Sequence, residues 1–318
     1  MAENAPDKRP LNSIGTNEAF QLSDVVKTPP IYGMLTPRWL SRALEMKGLQ
    51  TGVYRVNRVV EGETPLDVLC SLDPSTEEIP QGYVKYDNNP KEYHLVAVST
   101  IINVDTHVSD VYNEPYNQVD EQINLAVESL KERQESQIIN NGNYGLLKCC
   151  ANSQRVDARG GSPTPDLLDE LLAKVWKEPS FFLAHPRAIA AFERECTRRG
   201  VPPETTSVYG GVFIKWRGVP ILPTDKCFVD GKRNPGPSNG KTNVILLRTG
   251  EARRGVIGLY QSGLPNEKSR GMSVRLRGID DNGIASYLLS LYCSAAILSD
   301  DAIAVLENTE VGVYHDYK

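Results

Sequence analysis

Apolar positions recur with two different periods along this chain, and each change of period marks an element. Trp39, Leu40, Ala43, Leu44 and Met46 repeat at helical spacing after Thr36-Pro37, which predicts a short helix that Gly48 ends. From Gly52 the period becomes two. Val53, Arg55, Asn57 and Val59 fall on one face, and Tyr54, Val56, Arg58 and Val60 on the other, as in a strand. Residues 61–90 are rich in turn formers, and Tyr93–Val104 reads as a second strand, so residues 52–104 predict an extended hairpin around a variable tip. Both faces carry polar groups. A lone hairpin of this kind is marginal in water and needs a partner surface.

The longest helix is expected between Asp110 and Asn141, with Pro115 near its start and Asp120 and Glu121 in its first turns. Val119, Ile123, Ala126, Val127, Leu130, Gln134 and Ile138 trace one stripe. The other face, with Glu128, Lys131, Glu132 and Glu135, is expected to meet solvent or another chain. About 26 helical residues span ~39 Å. A second helix starts where Thr164 can cap and Pro165 can take the first position, and it turns Leu167, Leu168, Leu171, Leu172 and Val175 inward.

The stretch from Trp176 to Pro203 is the densest in signals. Phe181-Phe182-Leu183 suits a buried strand, and Pro186 suits a first helical residue. Ala188, Ile189, Phe192 and Cys196 form one apolar face. Arg198 and Arg199 fall in the last turn, Gly200 suits a left-handed cap, and Val201-Pro202-Pro203 forbids further helix. Short strands are expected at 212–216, 219–222, 244–247 and 256–260, then MSVRLRGI (272–279), the tight turn Asp280-Asp281-Asn282-Gly283, a long strand over 284–298 and a last segment over 300–306. Long helices mixed with antiparallel strands, without regular alternation, imply an α+β fold.

Composition narrows the class. The chain has 318 residues, 40% hydrophobic and 24% charged, as globular domains do. A net charge of −5 argues against a general nucleic-acid coat. No apolar run approaches the ~20 residues that span a bilayer, and MAENAPDKRP does not read as a secretory signal. Residues 1–36 are polar and proline-bearing with scattered apolar residues, so they read either as a disordered tail or as an extended arm on a neighbouring subunit.

The six cysteines, Cys70, Cys149, Cys150, Cys196, Cys227 and Cys293, show no zinc spacing and no secreted pattern, which implies a reducing cytoplasm. Cys196 and Cys293 read as core thiols. Cys149-Cys150 is open to a redox role, although adjacent cysteines are poorly placed for an unstrained bridge. His94, His107, His185 and His315 have no ligand-spaced partner, and His185 reads as a residue that opens a helix. Asn140–Gly145 and Gly255–Gly258 lack the frame of a phosphate loop. Arg248–Gly255 concentrates three arginines and is open to anion binding, to a solvated turn or to an intersubunit contact. No residue is nominated for catalysis, cofactor binding or metal.

Taken in order, TPRWL (36–40), GVYRVNRVV (52–60), NEPYNQVDEQINLAVESLKERQE (113–135), PTPDLLDELLAKVWKEPSFFLAHP (163–186), RGVPILPTDK (217–226), IASYLLSLYCSAAILS (284–299) and the final YHDYK resemble the encapsulins. The likeness is to the second family, in its subgroup A without a cyclic-nucleotide-binding insertion, and it runs from Thr36 to about Tyr317. The resemblance implies the tailed-phage major capsid fold of the Hong Kong 97 type. Residues 1–36 would be the N-terminal arm, 37–51 a short helix, 52–104 the extended loop, 105–179 the peripheral domain with its spine helix, 180–262 the axial domain, and 263–318 the return to the peripheral domain.

It further implies a self-assembling icosahedral shell of on the order of 60 copies. That shell would lie in a bacterial cytoplasm around a cysteine desulfurase, in sulfur metabolism or storage. Pyridoxal phosphate would belong to the cargo, the shell needing no cofactor, no nucleic acid and no membrane span. By order along the chain, Arg198, Arg199, Gly200, Val201, Pro202, Pro203 and Glu204 would line a fivefold pore. A viral capsid protein and a stand-alone enzyme using Cys149 or His107 are the alternatives.

Overall fold

The computed structural model describes residues 37–57, 89–105, 118–232, 240–281 and 283–314. The arm over 1–36, the hairpin tip, Cys70, His107, Pro115, Asn282 and His315 lie outside the described residues. The chain divides into two compact units, one drawn from 99–131 and 274–289, the other from 36–98, 132–273 and 290–318.

The larger unit is organised by a seven-stranded sheet. In spatial order its strands are β5 (Arg155–Asp157), β15 (Ile303–Glu310), β10 (Lys241–Leu247), β6 (Phe181–Ala184), β9 (Val219–Pro223), β8 (Gly211–Trp216) and β7 (Glu204–Val208). Alternation along the central strands feeds two cores, because successive side chains leave a strand on opposite faces. Phe182, Val244, Leu246, Ala304 and Leu306 pack on one side with Leu168, Leu171, Ala188, Phe192 and Cys196 of helices α4 (Pro165–Lys174) and α5 (Pro186–Arg199). Phe181, Leu183, Ile245, Leu247, Ile303 and Val305 pack on the other with Trp39 and Leu40 of α1 (Trp39–Ala43), with Ile138 and Ile139 of α2 (Gln118–Asn140), and with Leu146 of α3 (Leu146–Cys149).

A second sheet runs in the order β1 (Met46–Leu49), β11 (Val256–Gln261), β14 (Ile284–Ile297), β13 (Met272–Ile279) and β12 (Glu267–Ser269), with β4 (Val96–Asp105) also on β14. Strands from both sides of residue 262 occupy each sheet: β15 pairs with β10, and β14 pairs with β11. In the smaller unit Ile123, Val127 and Leu130 of α2 are buried, as are Val104, Ala285 and Leu289. Ser286 donates to Asn103 at 2.8 Å. The Asp280–Gly283 turn forms as expected, with Gly283 at φ 80 and its N–H on the Asp280 carbonyl at 3.0 Å.

Three expectations change. The helix expected up to Gly48 stops at Ala43, and Met46–Leu49 becomes a strand parallel to β11, Met46 opposite Gly258 and Gly48 opposite Tyr260. Tertiary pairing overrides the short helical period there. Gly48 also has to admit the Tyr260 ring, since a Cβ on it would stand 3.0 Å from that ring.

The second strand of the hairpin is split at Leu95. β3 (Lys91–His94) pairs with β2 (Val53–Val56), and from Val96 the chain pairs with β14 instead. The partner surface that the two-sided hairpin required is therefore supplied partly from within the chain. Finally, Glu132 and Glu135 of the expected polar face are buried, at 7% and 0% exposure, while Lys131 and Glu128 stay partly exposed and pair at 3.0 Å.

Candidate functional site

Helix α5, from which the candidate loop leaves, is capped at both ends. His185 caps the helix, its Nδ1 accepting from the Arg187 N–H at 3.2 Å. Burial lowers the pKa of this imidazole, which favours the neutral acceptor the cap requires. At the far end Gly200 sits at φ 69, its N–H reaching the Thr197 carbonyl at 3.1 Å, while the Val201 N–H reaches Cys196 O at 3.0 Å. A side chain on Gly200 would meet nothing within 4 Å, so the backbone angle alone explains the glycine.

The two arginines are engaged. Arg198 donates twice to Glu195 Oε2, at 3.1 and 2.8 Å. Arg199 donates to Asp166 in the first turn of α4 at 2.7 Å and stands 3.8 Å from Glu195. Glu195 is 3% exposed, so these guanidiniums neutralise a carboxylate that would be costly to bury alone. Glu204 opens β7 and pairs with Lys215 at 2.9 Å. Between these paired but exposed charges, Val201 is 46% exposed and Pro202 is exposed beside it. The candidate loop Arg198–Glu204 is thus a stiff turn with an apolar tip and internally compensated charges.

The other candidate chemistry is absorbed into packing. Arg248, 2% exposed, forms a forked pair with Asp301 at 2.7 and 3.3 Å, which leaves it closed to outside anions. Burial pushes the Asp301 carboxyl up, but hydrogen bonds from Arg248, Ser299 and Lys177 outweigh this and hold it far below the usual carboxylate range. Cys149 and Cys150 are free thiols, and burial pushes Cys150 up to about 11, away from the reactive thiolate. Asn140–Gly145 is the end of α2. Gly145 lies so close to Asn141 that a Cβ would stand 2.4 Å from its carbonyl oxygen. Among the described residues no three His, Cys, Asp or Glu side chains converge as a metal site, and no described helix is long and apolar enough to cross a membrane.

Residue-level reading of the sequence missed the buried carboxylates. Glu135 accepts from Ser41 N and Oγ at 3.0 and 2.9 Å, and Glu132 accepts from the buried Lys226 ammonium at 2.6 Å. The available signal was positional. Glu135 lies three and four residues before the fully buried Ile138 and Ile139, on a helix whose apolar stripe is broad.

The two sheets and the long helix define a class first. The fold is shared with the capsid of a native GTA particle, at TM-score 0.55 and 13% identity over 94% of this chain and 99% of that one. It is shared with the capsid of an empty GTA particle, at TM-score 0.58 and 11% identity over 93% and 100%. This is the α+β capsid fold of the Hong Kong 97 type.

Closer relatives set the family. The profile of the SrpI-like family, type 2A encapsulin shell protein, matches residues 54–313. The type 2A encapsulin shell protein SrpI of Synechococcus elongatus is 51% identical over 100% of this chain and 99% of its own. A type 2A encapsulin shell protein of Mycolicibacterium paratuberculosis is 47% identical over 96% and 97%. The structure of the holo-SrpI encapsulin complex from Synechococcus elongatus superposes at TM-score 0.79, with 49% identity over 96% and 99%. The chain belongs to the SrpI-like family of type 2A encapsulin shell proteins, and its role is structural rather than catalytic. The viral-capsid and stand-alone-enzyme alternatives are set aside accordingly.

Proposed function

We propose that copies of this chain close into an icosahedral nanocompartment of about 60 subunits, in a bacterial cytoplasm, around a cysteine desulfurase. That cargo would bring its own pyridoxal phosphate and act in sulfur metabolism or storage. The observation that carries the reading is the full-length likeness to a shell protein solved as an encapsulin complex, 49% identical at TM-score 0.79. Within it, residues 1–36 serve as the arm, 52–104 as the extended loop, 105–179 as the peripheral domain and 180–262 as the axial domain. The loop Arg198–Glu204 then rims the fivefold opening.

The engaged state of Arg198 and Arg199 refines that rim. Its charge is compensated within the subunit, so the edge offered to a permeant is Val201 and Pro202 beside the paired side chains of Arg198 and Glu204. Negative-stain microscopy of the purified protein, alone and co-expressed with a cysteine desulfurase, tests the reading. Uniform closed particles that co-purify with pyridoxal phosphate absorbance are expected. A stable monomer or dimer at physiological salt would overturn the shell, and particles that exclude the desulfurase would overturn the cargo.

A further inference from the structure

β2 and β3 form a two-stranded sheet that joins neither of the larger sheets among the described residues. Such a ribbon has no backbone ladder to hold its direction, and two strands alone are marginal in water. It leaves the body at Gly52, which sits at φ 73, and at Leu95, whose N–H returns to the Gly52 carbonyl at 3.0 Å. That bond closes the base without fixing where the ribbon points. Tyr93, Tyr54, Val56 and Leu95 pack against Leu49, Ile257, Leu259 and Ala296. Apolar contact of this kind is non-directional and tolerates sliding.

Two hydroxyls supply the direction. Tyr54 and Tyr93 stand directly opposite each other across the ribbon, so their Cβ atoms lie about 5 Å apart on one face. They reach different anchors. The Tyr93 hydroxyl donates to the Ile297 carbonyl at 2.5 Å and accepts from the Ile297 N–H at 3.2 Å, at the end of β14. One side chain thus takes both backbone groups of a buried residue, and Tyr93 itself is 7% exposed. The Tyr54 hydroxyl donates to Glu251 Oε1 at 2.8 Å. The same oxygen receives Lys47 Nζ, which lies over the Tyr54 ring at 5.0 Å. Glu251 is held in turn, its N–H donating to Glu45 Oε2 at 2.9 Å. One point of attachment leaves a ribbon free to swivel, whereas two, one on each strand, do not.

We propose that the Tyr54–Tyr93 pair is a two-point mount that sets the direction in which the hairpin leaves the subunit, and through it the single size of the shell. The part about size rests on the shell reading above. Half of the intervening residues 58–88 reach at most ~50 Å, so about 10° of swivel at the base moves the far end by up to about 9 Å. An interface packed as densely as a protein interior does not tolerate such a displacement. Copies that meet through hairpins set at several angles would close shells of several diameters. Tyr54 and Tyr93 are positioning residues, since they act through the hairpin and need touch no neighbouring copy.

Amide exchange of residues 91–94 in the full-length protein reads the mount, and particle diameters in negative stain read its consequence. Tyr93→Phe keeps the ring and removes both bonds to Ile297, so exchange at 91–94 is expected to quicken on the order of tenfold while β6 and β10 behave as in the wild type. Tyr54→Phe acts in the same direction, and Glu251→Gln, which still offers Tyr54 an acceptor, stays near the wild type. The Tyr54→Phe/Tyr93→Phe double variant is expected to fold and to give particles of mixed diameter. Phe182→Leu, a change in a different core cluster, is expected to lower stability and leave diameters uniform. Unchanged exchange in both single variants would overturn the mount. Faster exchange with uniform particles would overturn its control of size. Equal broadening by Phe182→Leu would do the same, since stability rather than direction would then be the cause. A wild type that forms no particles sinks the shell reading and the size claim with it, and exchange still decides the mount. In the wild type alone, the Ile297 amide is expected to exchange in step with 91–94. An Ile297 amide that stays protected while 91–94 exchange freely would equally overturn the mount.

Discussion

Charge reversal at Arg199 separates the two roles this residue has been assigned, rim and brace. The wild-type guanidinium donates to Asp166 at 2.7 Å, and that carboxylate's side chain is 79% exposed, so this contact contributes no more than about 1 kcal/mol. The larger effect comes from Glu195, 4% exposed at its side chain and 3.8 Å away. Two unit charges at about 4 Å interact by about 4 kcal/mol at an effective dielectric of about 20. That is a ceiling, because a glutamate is shorter than arginine and can turn to solvent, and Arg198 still neutralises Glu195.

Half of the ceiling plus the lost surface pair gives about 3 kcal/mol for Arg199→Glu, or a melting temperature lower by about 6 °C. Arg199→Gln, which loses both attractions but adds no repulsion, costs about 2 kcal/mol. The same negative charge at Val201, 46% exposed, changes stability by no more than about 0.5 kcal/mol while altering anion passage through the proposed opening. Scanning calorimetry of the three variants, with the Glu195→Gln/Arg199→Glu double mutant recovering at least about 1 kcal/mol, is the assay. An Arg199→Glu protein that melts within about 1 °C of wild type would refute the brace, since no buried charge would then depend on it.

Other outcomes follow from the same packing. Arg248→Met strands Asp301 with only Lys177 and Ser299 and costs about 3 kcal/mol by calorimetry. Because Asp301 is held below the usual carboxylate range, the stability it lends is present above that range and lost only in strong acid, so the variant's acid unfolding begins at higher pH than wild type's. Phe182→Ala, at a fully buried position in the central strand β6, costs about 4 kcal/mol, and a cost under about 1 kcal/mol would mean that the core collapses around the gap. Deleting residues 1–30 leaves the circular dichroism of the subunit intact and prevents closed particles in negative stain, and particles like those of the wild type would show that the segment takes no part in assembly.

Much of this protein was determined locally, where one residue's covalent geometry leaves few choices. α5 begins at Pro186 and ends at Gly200 because a missing N–H and a left-handed backbone angle punctuate the chain whatever surrounds them. α4, with Thr164 and Pro165 at its head, and the turn at Asp280–Gly283 were legible for the same reason. The stiff turn after α5 was legible, but the state of its arginines was not, since nothing in Arg198-Arg199 reveals that Glu195 and Asp166 occupy both cations.

Tertiary structure decided what depends on distant partners. Met46–Leu49 is extended because β11 offers it a backbone ladder, although its own apolar spacing is helical. The strand that begins at Lys91 changes partner at Leu95 because β14 is there to receive it. Glu132 and Glu135 read as a wet helical face, yet Lys226 and Ser41, 94 residues away in either direction, make their burial possible. A charge can be buried only where the fold brings it a counterpart or a proton, and that is a property of the assembled core rather than of any local pattern.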